Sequence, residues 1–113
     1  MTLDQVVSAL GLKVVAGQLP DRCEVTGGYA SDLLSCVMAR ARAGNIWVTL
    51  QAHANVVAVA SLLGLAAVII TEGVQPDPVT CQKAQAEGVL LLSTPRTTFA
   101  TVAELARLGV EAA

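Results

Sequence analysis

The chain has 113 residues, 54% hydrophobic and only 14% charged, which excludes disorder and fits one domain with its own core. Net charge is −2 and the seven basic residues are scattered, so there is no basic stripe for a nucleic acid. The longest apolar stretch, Val56–Ile70, is broken by Ser61 and Gly64 and falls short of the roughly 20 residues that span a bilayer.

Thr2 is the expected N-cap of a helix to Leu10 that turns Leu3, Val6, Val7 and Leu10 to one side. Lys13–Ala16 reads as a strand and Gly17–Glu24 as a polar loop. Glu24–Thr26 reads as a second short strand that turns at Gly27-Gly28. Ser31 then caps a helix through Ala43, with Leu33, Leu34, Val37, Met38 and Ala41 inward. Ile46–Leu50 is a strand, Asn55–Leu63 a helix, and Ala66–Ile70 the next strand. Asp77 caps the following helix, with Pro78 at its first position, where a missing N–H costs nothing. Val89–Leu92 is the last strand. Thr97 or Thr98 caps a final helix that buries Phe99, Val102, Leu105 and Ala106. Gly11, Gly44, Gly64, Gly88 and Gly109 each close an apolar-periodic segment, as left-handed helix ends require.

Strands alternating with helices imply right-handed crossovers and a single α/β domain over residues 1–113. The core is aliphatic, since Tyr29, Trp47 and Phe99 are the only aromatic residues. Both features predict a mainly parallel sheet of four to five strands sandwiched between helices.

In such sheets ligands bind at the carboxyl ends of the strands. Those ends supply Gln51 and His53, then Thr71, Glu72 and Gly73, then Ser93, Thr94 and Arg96, and the Thr26-Gly27-Gly28 turn could join them. Read functionally, these residues edge a pocket for a small anionic or nucleotide-like ligand near helix N-termini. Read structurally, they are ordinary caps and turns.

Chemistry has few candidates. His53 is the only histidine, so no two-histidine metal site can form, and no metal or cofactor is expected. Cys23, Cys36 and Cys81 lack the spacing of a zinc or redox pair and read as free thiols. No phosphate-binding G-x-x-x-x-G-K-[ST] loop and no G-x-S-x-G elbow is present. No catalytic residue is assigned. An enzymatic alternative would use His53 and Glu72 on a polar metabolite, with Arg96 holding an anion.

The Asn55–Leu63 helix carries an apolar excess. Val56, Val59, Ala60 and Leu63 suffice to cover a sheet, yet Val57, Ala58 and Leu62 are apolar too. A helix apolar on all sides is normally buried on all sides, so these three are the expected interface of a homodimer.

Two stretches carry a resemblance: Asp21–Ser35, DRCEVTGGYASDLLS, and Gly44–Gly73, GNIWVTLQAHANVVAVASLLGLAAVIITEG, with Ser93-Thr94-Pro95 and Phe99 in support. End to end, the chain resembles the DRTGG-domain family, a small module related to the N-terminal domain of HPr kinase/phosphorylase. The resemblance implies a three-layer α/β/α sandwich. It implies a regulatory or dimerising attachment, found beside CBS domains in some pyrophosphatases. It also implies, from standalone relatives, a docking subunit for a hydrogenase-type redox complex. The sequence departs from the family at Gln51-Ala52-His53, where many members have Gly-Asp-Arg. At Thr71-Glu72-Gly73 the usual pattern is Thr-Gly-Gly, so Glu72 adds negative charge where an anion would sit. The expected protein is therefore a cytoplasmic, non-catalytic regulatory or scaffold module. It is homodimeric, with a possible small-molecule ligand and a possible protein partner.

Overall fold

A computed structural model describes residues 1–113. Five strands form one sheet: β1 (Lys13–Ala16), β2 (Gly27–Ala30), β3 (Asn45–Thr49), β4 (Ala67–Ile70) and β5 (Leu91–Ser93), in the order β1-β5-β4-β3-β2. β2 to β5 run parallel, and β1 lies antiparallel on β5. Every residue of β3, β4 and β5 is buried, as expected of strands covered on both faces.

Side chains alternate between the two faces of a sheet. Trp47, Val68, Ile70 and Leu91 face one core, shared with α2 (Leu34–Arg40), α3 (Ala54–Leu63) and α4 (Pro78–Glu87). Ile46, Val48, Ile69 and Leu92 face the other, shared with α1 (Leu3–Leu10) and α5 (Thr98–Arg107). The fold is thus the expected three-layer α/β/α sandwich, with three helices on one face and two on the other.

That asymmetry corrects several side-chain expectations. α3 packs against both α2 and α4, which accounts for much of its apolar excess. Val57, expected on the outward face, is 0% exposed within this subunit, whereas Ala58 and Leu62 do face out, Leu62 at 70%. α2 begins three residues later than Ser31 because Asp32 is tied to the end of β3. Its Oδ1 accepts from the Thr49 hydroxyl at 2.7 Å and from the Leu50 N–H at 3.0 Å. In so short a helix Val37, with Ala41 just beyond it, is buried and Leu34 packs partly against the core, while Leu33 and Met38 stay in solvent. On α5 the buried stripe is Thr101 and Leu105, one turn apart. The adjacent stripe of Phe99, Val102 and Ala106 is exposed, Phe99 at 86%.

Gly27-Gly28 is not a turn. The expected strand at Glu24–Thr26 gives only a single bridge to Thr2, and the sheet strand starts at Gly27. Backbone crowding is the reason for glycine there. The Gly28 N–H donates to the Glu111 carbonyl at 2.8 Å, and the Ala113 N–H donates to the Gly28 carbonyl at 2.9 Å. A Cβ on Gly27 would lie 3.1 Å from the Glu111 oxygen and 3.2 Å from Asn45 Nδ2. The C-terminal residues therefore run along the outer edge of β2 and cover part of an otherwise open strand.

Candidate functional site

At the carboxyl ends of β3, β4 and β5 the polar residues bind each other. The Thr71 hydroxyl lies 2.6 Å from that of Thr98 and 3.4 Å from the Thr49 carbonyl. Glu72 adopts a left-handed backbone, φ 63°, which lets its N–H donate to the Arg96 carbonyl at 2.8 Å. The Gly73 N–H donates to the Thr94 carbonyl at 3.1 Å, and Thr94 Oγ1 accepts from the Arg96 N–H at 3.2 Å. The Glu72 carboxylate accepts the Thr98 N–H at 2.7 Å. Thr98 opens α5, so this carboxylate sits at the positive end of the helix dipole, where a bound anion would be favoured.

Arg96 turns the other way. Its Nη1 donates to the Leu10 carbonyl at 3.2 Å and satisfies an orphan acceptor at the end of α1. Ion pairs join only the Met1 amine with Glu24 and Glu104 with Arg107, so Glu72 pairs with neither Arg96 nor His53. His53 is the N-cap of α3, its Nδ1 accepting from the Asn55 N–H at 3.1 Å. Gln51 donates through Nε2 to the Asp32 carbonyl at 3.2 Å. Ser93 is buried in β5, in register with Lys13 of β1. No buried side-chain nitrogen or oxygen lacks a partner.

Asp77 caps α4 in the same way, accepting from the Thr80 N–H at 2.8 Å and the Thr80 hydroxyl at 2.9 Å. The backbone bond, then the hydroxyl, hold its carboxyl below the ordinary value of 3.8, and the charge of His53 adds to the effect.

Thr26, Gly27 and Gly28 do not join this belt. β2 is parallel to β3, so the residues that open it stand at the amino end of the sheet. Thr26 is a clasp there, donating to the Ala43 carbonyl at 2.8 Å and accepting from Asn45 Nδ2 at 3.0 Å.

Open volume lies elsewhere. A cavity of about 600 Å³ sits between β2, α5 and the C-terminal residues. Two helices cannot roof five strands, and over β2 the sheet offers only the small residues Gly28 and Ala30. Val48 and Leu105 line the interior, Val102 and Ala106 the α5 side, and Val110 to Ala113 the outer side. Arg40 and Arg42 also line it, and no carboxylate pairs with either. Of the predicted ligand residues, only Gly28 touches this cavity or the smaller hollow of about 420 Å³ beside Gln18 and Gln85. No three His, Cys, Asp or Glu side chains are grouped to share a metal ion.

A family model for the DRTGG domain matches residues 5–108, nearly the whole chain. The chain belongs to the DRTGG-domain family. A solved structure with the same fold contains the CBS and DRTGG domains of the regulatory region of Clostridium perfringens pyrophosphatase, complexed with its activator diadenosine tetraphosphate. The TM-score is 0.70 at 15% identity, over 92% of this chain and 45% of that one, so the chain spans under half of that regulatory-region structure. No curated protein matches the sequence.

Asp32, Arg40 and Arg42 are what sequence reasoning missed. Asp32 falls in the first turn of the helix expected from Ser31, where the sequence assigns it no role. The two arginines fall near the end of the helix expected through Ala43, with nothing in the sequence to show that residues 110–113 would lie beside them. No helix of this DRTGG domain is long and apolar enough to cross a membrane.

Proposed function

We propose that this DRTGG domain is a non-catalytic regulatory or scaffold module that senses a small anionic ligand in the cavity beside β2. The observation that carries this reading is the contrast in polar satisfaction. The strand-end residues are consumed by mutual bonds, while a cavity of ligand size, about 600 Å³, stays open with two unpaired guanidinium groups. The activator-bound regulatory region of the pyrophosphatase supports small-molecule sensing, and brings nucleotide-like ligands under test. The enzymatic alternative needs His53 and Glu72 free to exchange protons, yet each accepts a backbone N–H as a helix cap.

A homodimer is part of the proposal, supported by Leu62 at 70% exposure on α3 and Met38 at 50% on α2. Phe99, exposed on the opposite layer, favours a second, protein-docking reading. Three unpaired cysteines support a reducing compartment such as the cytoplasm.

The test is NMR titration of the whole chain with AMP, ATP and diadenosine tetraphosphate, beside light scattering of wild type and Leu62→Asp. Shifts centred on Gly28, Ala30 and Val110 are expected, with a dimer that Leu62→Asp splits. Shifts confined to Thr71, Glu72 and Thr98 would return the site to the strand ends. A wild-type monomer at micromolar concentration would remove the dimer.

A further inference from the structure

We propose that the cavity's ligand is an amphipathic anion, with an aliphatic or aryl body inside the cavity and a phosphate or carboxylate head between Arg40 and Arg42. This rests on the ligand-sensing reading above and narrows it to a chemical class.

The walls decide the body. Val48, Val102, Leu105, Ala106 and Val110 present methyl and methylene groups, and Ala30 adds one more. No serine, threonine, asparagine, glutamine or histidine lines the space. Tyr29 borders it, but its side chain packs against the core on the three-helix face. A nucleoside would bring ribose hydroxyls and a polar base edge against apolar walls, where only Arg40, Arg42 and Glu111 offer polar side chains apart from Tyr29. Such groups are costly to bury without a partner. An alkyl or aryl body gains from the same walls.

The charges decide the head. Arg40 and Arg42 bring two positive charges to the cavity, which Glu111 and the end of the chain at Ala113 also line. Neither guanidinium is paired with a carboxylate, and the Arg42 backbone N–H is already bound by Asn45 Oδ1 at 2.7 Å, which fixes the chain at that point. Arginine's planar fork matches carboxylate and phosphate oxygens in a bidentate manner.

Four probes separate the terms: octyl phosphate, octanol, AMP and inorganic phosphate, each titrated against the full chain by calorimetry and by NMR at Gly28, Ala30 and Val110. Octyl phosphate is expected to bind best. Octanol lacks the head and inorganic phosphate the body, and each should bind at least about tenfold more weakly. Arg40→Gln/Arg42→Gln should weaken octyl phosphate by a similar factor and leave octanol unchanged. Both arginines are exposed, so circular dichroism should show the variant folded. Ala106→Trp, from the exposed side of α5, supplies a second variant that should block octyl phosphate by filling the cavity. AMP binding more tightly than octyl phosphate overturns this inference and leaves the sensing role standing, as does equal binding of octanol. Failure of all four probes to move the cavity resonances overturns both.

Discussion

The strand-end belt and the cavity beside β2 are opposite solutions to the same shortage of covering helices. At the belt, loops from β4 and β5 fold onto each other, and Thr71, Glu72, Gly73 and Thr94 find their partners within the chain. Beside β2 the cover is a strip of C-terminal residues held to Gly28 by two backbone bonds, with open volume behind it. Polar residues mark the first region and apolar ones the second, yet the second has room for a ligand. Polarity in a sequence shows where the backbone needs partners. Volume arises where small residues meet missing helices.

The sharpest way to break this contrast is to truncate one large side chain from each side of the sheet. Trp47 is wholly buried under the three helices, and its Nε1 donates to the Ser31 carbonyl at 2.9 Å. Trp47→Ala should cost about 3–5 kcal/mol in urea unfolding, from lost packing, the void and the orphaned carbonyl. Val102, on the cavity wall, is 39% exposed, and Val102→Ala should cost no more than about 1 kcal/mol. Equal costs would mean that the cavity side is packed as tightly as the core.

A smaller effect tests whether the Glu72 carboxylate holds the belt. Glu72→Ala removes the acceptor from the Thr98 N–H at the start of α5, worth about 0.3–1 kcal/mol, and keeps a left-handed non-glycine residue. Glu72→Gly removes the same acceptor but relieves a backbone cost of about 1 kcal/mol. Thermal unfolding should therefore rank Glu72→Gly above Glu72→Ala. The reverse order would refute the left-handed loop, and an Ala variant as stable as wild type would make the carboxylate a bystander.

Most of the fold is legible in the residues because its signals are local. Asp77-Pro78 opens α4 where expected, Thr97 caps α5, and Gly64 and Gly88 end α3 and α4 in left-handed conformations. The aliphatic runs that became β3 and β4 need only their composition to declare burial on both faces. The site was less legible, since each of its determinants is non-local. Val57 is buried because α2 and α4 flank α3, which no property of α3 states. Gly27-Gly28 looks like a turn until residues 111–113 are seen to approach it. Arg40 and Arg42 line the cavity because of that same approach. Thr71, Glu72 and Thr94 stand at strand ends as the pattern predicts, but pattern alone does not reveal that Thr98 and Arg96 already occupy their hydrogen bonds.

The mildest test concerns Asp77, whose cap on α4 can be titrated without disturbing any core contact. Its carboxyl is held below 3.8 because the ionised form accepts from the Thr80 N–H and then from the Thr80 hydroxyl, helped by His53. A lowered folded value means that the native state stabilises the charged form. The contribution is therefore complete above the ordinary value near 3.8, and is lost as pH falls through the lowered one. Asp77→Asn retains an oxygen acceptor for the Thr80 N–H but cannot titrate. Denaturation midpoints followed from pH 7 to pH 2 should thus show wild type above the variant by a constant margin until about pH 4, then a gap that closes in acid. A gap that widened on acidification would reverse the sign of the linkage and deny that the Thr80 bonds favour the carboxylate. A parallel pair of curves down to pH 2 would show that they favour neither form.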